Sequence, residues 1–128
     1  MMECGVEGYS WYNENMRLIE ENITVEELKV MASGMFGNLV KAVVDVEKGL
    51  LVVDAELHSD EEAYLLEKGS KQENLWGINI YPQLPKEERI EFDSMINLRP
   101  SFGHNSRGVE DEEIRKKILD IVNAKIVE

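Results

Sequence analysis

The sequence predicts an α+β domain: a single mixed or antiparallel sheet of about five strands with three helices mainly on one face, in the order β-α-β-β-α-β-β-α. Three observations carry that expectation. The β-branched runs Leu39–Val46 and Leu50–Leu57 are separated only by Glu47-Lys48-Gly49, a hairpin connection with glycine last. Thr24 with Glu27, and Ser59 with Glu62, are capping-box pairs that each open an apolar pattern at helical spacing. Period-two alternation appears at Trp76, Ile78 and Ile80 and again at Ile90, Phe92, Ser94, Ile96 and Leu98. A chain of 128 residues suits one domain and is long enough for a hydrophobic core.

Taken in order, residues 1–15 mix Gly, Asn, Glu and aromatics without a period, and read as a loose N-terminal extension. The domain is expected over residues 16–128. Met16–Ile19 is its first strand. The helix opening at Thr24 turns Val25, Leu28, Met31 and Ala32 inward and should stop near Gly34 or Gly37. After the hairpin, the Ser59 helix presents Ala63, Leu65 and Leu66, with Gly69 as its stop. Leu75–Tyr81 and Arg89–Arg99 form two further strands across a turn at Pro82–Glu88. A last helix begins near Asp111 and buries Ile114, Ile118, Ile121 and Val122.

Hydrophobic residues at 43% and charged residues at 31% are globular values. With 26 acids against 14 Lys plus Arg, the net charge of −12 argues against nucleic acid as a partner. No apolar run approaches the roughly 20 residues of a membrane span, and a signal-peptide core is lacking. A lone Cys4 provides neither an internal disulfide nor a cysteine zinc site. These features predict a cytoplasmic protein without a membrane partner.

The acid-free run from Ser94 to Val109 is polar, so burial alone does not account for it. Within it lies Arg99-Pro100-Ser101-Phe102-Gly103-His104-Asn105-Ser106-Arg107-Gly108. Arg99 and Arg107 are the candidates to grasp an anionic small molecule, since a guanidinium offers two parallel hydrogen bonds to carboxylate or phosphate. Asn105 and Ser106 would add donors, as would Asn79 and Asn97 from the adjoining polar sheet face. The plainer alternative ties both arginines to Glu91, Asp93 or Glu56, with Glu56 the expected partner of Arg99. The N-terminus of the last helix is a poor anion site, because Glu110 to Glu113 already fill its first turn with acids.

Two further readings stand beside this one. Asp54, Glu56 and His58 alternate on a strand and could offer three ligands to one divalent ion, although no cysteine or second histidine sharpens the set into a zinc signature. A solvated acidic strand end explains the same residues. A metal-dependent or acid–base enzyme would use Glu56, His58 and Asp93, with Arg99 stabilising developing negative charge. His104 is a candidate general base, or simply an exposed loop histidine. The glycines around it form neither a P-loop nor a dinucleotide fingerprint, and no pattern names a cofactor. The third reading is an interaction or homo-oligomeric module whose polar face is a docking patch.

Four runs carry a resemblance: Ala55-Glu56-Leu57-His58-x-Asp60-Glu61-Glu62; Gly69 to Asn79; Glu91 to Pro100; and Asn105-Ser106-Arg107-Gly108-Val109-Glu110-Asp111. The chain resembles a family of short prokaryotic proteins classed as a domain of unknown function, over roughly Met16 to Val127. His104 stands where that family favours a small or polar residue, which weakens a catalytic role for it. The resemblance implies one domain in a prokaryotic cytoplasmic protein, and carries no activity.

Overall fold

The two most β-branched stretches of the chain form the middle of the sheet. In the computed structural model, which describes residues 16–128, they are β3 (Val40–Asp45) and β4 (Leu50–Val53). The expected extension over residues 1–15 lies outside the described residues. Ahead of the hairpin come β1 (Arg17–Ile19), β2 (Ile23–Thr24) and α1 (Val25–Ser33). After it come α2 (His58–Glu67), β5 (Leu75–Ile80), β6 (Ile90–Glu91), α3 (Glu112–Lys125) and β7 (Ile126–Val127). Five strands make one antiparallel sheet in the order β1-β4-β3-β5-β6, so the α+β class and three helices are as expected. A short parallel pairing of β2 with β7 sets Ile23 beside Ile126.

Strand alternation divides the interior into two layers. Ala42, Val44, Leu51, Val53, Trp76, Ile78 and Ile80 face α1 and α3, packing against Leu28, Ala32, Ile118 and Val122. Val43, Val52 and Leu75 face the other way, against Leu65 of α2 and Ile96. Two helices therefore share one face and α2 shields part of the second. All six residues of β5 are buried as a result.

The β3–β4 turn is held by Asp45, which is fully buried. Its carboxylate accepts the N–H groups of Glu47 at 2.9 Å and Lys48 at 3.0 Å, and the Ser70 hydroxyl. Gly49, at φ 71°, closes the turn in a conformation that favours glycine.

The capping box at Thr24 forms: its hydroxyl accepts the Glu27 N–H at 3.0 Å, and the Glu27 carboxylate accepts the Thr24 N–H at 2.9 Å. The one expected at Ser59 does not. Helix α2 starts at His58, Leu57 stands at its cap position, and no side chain caps it. Tertiary partners take the carboxylates instead. Glu62 turns to Arg99 at 3.1 Å, and the fully buried Glu61 accepts the Ala55 N–H at 3.1 Å.

The long strand expected over Arg89–Arg99 is also corrected. Only Ile90 and Glu91 pair with β5, and the chain then breaks into short 3-10 turns at Met95–Asn97 and Pro100–Phe102. Ser94 initiates the first by accepting the Ile96 N–H at 3.2 Å, and Pro100 opens the second. Alternation fails with the strand: Asn97 is fully buried, while Met95 is 61% exposed.

Candidate functional site

The structure sends the residues predicted for one anion site to three different places. Asn97 and Arg99 become internal struts. The Asn97 amide accepts the Gly77 N–H at 2.8 Å and donates to the Gly77 carbonyl at 3.0 Å and the Arg107 carbonyl at 2.8 Å. Gly77 has no room for a side chain, since a Cβ there would lie 2.6 Å from the Ser94 side chain. Arg99 is 7% exposed and its terminal nitrogen lies 3.1 Å from Glu62. Glu56, its expected partner, is exposed. The Arg99 backbone exchanges hydrogen bonds of 2.8 and 3.0 Å with His104, which closes the loop into a small hairpin.

Arg107 and Asn79 line a cleft of about 200 Å³ on the α2 side of the sheet. Arg107 donates to Asp93 at 2.7 Å but leaves 55% of its side chain exposed. Lys41 of β3 is a second cation on the wall, beside Ser59 from the first turn of α2. Asn79 is 7% exposed and donates to Glu91 and to the Asp93 carbonyl, and its amide also interacts with the His58 ring. His58 is buried at the base, with Nε2 2.8 Å from the Ile78 carbonyl. A carbonyl only accepts, so Nε2 carries the proton. Burial holds the His58 pKa below the ordinary histidine value, against the opposing pull of that carbonyl.

Asn105 and Ser106 open onto a different cavity, of about 520 Å³, together with Trp76, Phe102 and His104. The His104 ring centre is 4.6 Å from that of Trp76 and 6.0 Å from that of Phe102. Burial, and then the Arg99 charge, push the His104 pKa down. Glu73, Glu110 and Asp111 make this wall acidic. Asp111 also caps α3 by accepting the Glu113 N–H at 2.8 Å.

Asp54, Glu56 and His58 do not converge. Strand β4 ends at Val53, and Asp54 takes φ 75°, which ends the alternation that would align them. Glu56 points to solvent and His58 inward to Ile78. Among the described residues no group of three or more His, Cys, Asp or Glu is placed to hold a metal ion. Asp93 reaches Arg107, and Glu56 lies outside the cleft that Asp93 and His58 line.

Residues 17–125 match the family model described as "Protein of unknown function (DUF5674)". The chain belongs to this family. No curated protein and no solved structure gives a significant match. Among the described residues no helix is long and apolar enough to cross a membrane.

The family match runs from β1 to the last residue of α3, so both cavities lie inside the DUF5674 domain. Two residues gave no functional signal by their pattern, Lys41 on the cleft wall and Glu62, which holds Arg99 behind it. Lys41 was legible only as the single charge inside the apolar run Val40–Val44. Glu62 gave no such sign, because it read as a local cap and its partner Arg99 stands 37 positions away.

Proposed function

We propose that this domain binds a small anion, a phosphate, sulfate or carboxylate group, in the cleft between Lys41, Arg107 and the N-terminus of α2. The observation that carries the reading is the uncapped helix end. The first turn of α2 has no side-chain cap, and it lies on a cleft that Arg107 and Lys41 also line, with the Lys41 ammonium 5.0 Å from the Phe36 ring centre. Burial raises the pKa of Glu61 in that first turn, while Asp60 beside it is a carboxylate that a bound anion must face.

A volume of about 200 Å³ suits such an anion and is small for a nucleotide. Arg107 contributes charge while sharing Asp93, and Arg99 supports the loop from behind through Glu62 rather than touching the ligand.

Calorimetric titration with inorganic phosphate, sulfate and a small hydroxy acid tests the reading. Arg107→Ala is expected to weaken binding about tenfold or more. Leu57→Asp places a carboxylate at the empty cap; it should stabilise the fold by about 1 kcal/mol and weaken the anion at the same time. Affinity unchanged in both variants would remove the assignment.

A further inference from the structure

A second cavity, of opposite charge, opens on the same loop. Glu73, Glu110 and Asp111 stand on its wall, and among the described residues no Lys or Arg does. Arg99, the nearest guanidinium to Trp76, is off the wall and held by Glu62. His104 is on the wall, and its lowered pKa keeps the ring neutral near pH 7. The Arg99 charge still reaches His104 on that wall, so the carboxylates are offset only from outside the lining.

Acidic side chains alone do not define a site. Trp76 supplies the independent observation. It is 4% exposed, it forms part of the wall, and its buried Nε1–H has no hydrogen-bond partner among the described residues. Buried donors are nearly always satisfied, so an indole N–H left open beside a cavity asks for an acceptor from the occupant. Phe102, 43% exposed, adds an open aromatic face.

We infer that this cavity binds a small organic cation that also carries a hydrogen-bond acceptor: a protonated amine or guanidinium a few bonds from a carbonyl or hydroxyl. The carboxylates and the Phe102 ring hold the cation, and the Trp76 N–H takes the acceptor. The volume of about 520 Å³ falls in the range of small-molecule pockets. A bare metal ion does not fit the lining, since no group of three or more His, Cys, Asp or Glu among the described residues is placed to hold one. The site is independent of the anion cleft, with which it shares no lining residue.

Tryptophan fluorescence provides the test. The chain has two tryptophans, so a Trp11→Phe background leaves Trp76 as the reporter. Three probes separate the features: Nα-acetyl-lysine amide with cation and acceptor, Nα-acetyl-norleucine amide with the acceptor only, and pentylamine with the cation only. The lysine probe should bind saturably and about tenfold or more tighter than either of the others. Glu73→Gln with Glu110→Gln should weaken it by a similar factor, while phosphate binding at the other cleft stays as it was. Trp76→Phe should abolish the preference over pentylamine; if that variant does not fold, the three-probe comparison decides alone. Equal affinity for the lysine and norleucine probes, absence of saturable binding, or indifference to the double substitution each overturns the inference.

Discussion

The side chain of Asn97 replaces a missing strand by pairing with both backbone groups of Gly77, at 2.8 Å to its N–H and 3.0 Å to its carbonyl. The β5–β6 register sets Asn79 opposite Glu91, so a continued β6 would have set Asp93 opposite Gly77. The chain instead turns at Ser94, and an amide reaches back to satisfy the exposed edge. The same amide holds the Arg107 carbonyl at 2.8 Å, which positions the loop's second arginine.

Asn97→Ala leaves the buried Gly77 N–H and carbonyl without that partner. Each unsatisfied group costs about 1–3 kcal/mol, so the variant should lose at least about 2 kcal/mol. Urea unfolding checks it. A loss below about 0.5 kcal/mol would mean that the edge finds another partner.

Gly77→Ala brings a Cβ to 2.6 Å from both Cβ and Oγ of Ser94. Overpacking of this kind costs about 1–3 kcal/mol. Removing the Ser94 side chain should relieve it, so Gly77→Ala with Ser94→Gly should cost less than the two single changes added. Strict additivity in a double-mutant cycle would rule out the clash as the cause.

Arg99 and Arg107 are both ion-paired, but only one pair is sheltered. The side chains of Arg99 and Glu62 are 7% and 12% exposed, against 55% and 41% for Arg107 and Asp93. Arg99→Ala strands a partly buried carboxylate and should cost about 3–5 kcal/mol. Arg107→Ala should cost under about 1 kcal/mol, since solvent screens the exposed pair. Equal melting temperatures for the two variants would show that Arg99 is no anchor.

Two buried groups of α2 pull the pH dependence in opposite directions. Glu61 has its folded pKa raised, first by burial, so the folded state binds more protons than the unfolded chain above the ordinary glutamate value of about 4.3. Its contribution to stability therefore falls as pH rises through that window. Glu61→Gln should melt higher than the parent at pH 8, with the gap closing towards pH 4; a gap independent of pH contradicts the assignment. His58 has its folded pKa depressed, again first by burial. Its contribution is present above the unfolded value of about 6.5 and is lost as pH falls through the folded value. An NMR titration placing the His58 ring at or above 6.5 would refute this.

Much of the frame follows from short-range chemistry. The Glu47–Gly49 turn, the Thr24–Glu27 box, the Asp111 cap of α3 and the inward set Trp76, Ile78 and Ile80 all form as the local pattern requires. In each, a preference of the chain itself agrees with the packing around it. Ser59–Glu62 had the same local signature as Thr24–Glu27 and failed: α2 begins one residue before Ser59, and Glu62 pairs with a guanidinium 37 residues away.

The candidate site depended on such distant pairings. Sequence alone determined an acid-free polar run from Ser94 to Val109 that carries two arginines. Only the tertiary structure decided that Arg99 would be buried against Glu62, that Arg107 and Lys41 would line one cleft with the start of α2, and that Asn105 and Ser106 would share a cavity with acids instead. Periodicity assigns a residue to a face only while the strand lasts. Past the end of β6 at Glu91, each side chain is directed by what it contacts across the fold, as Asn97 is by Gly77.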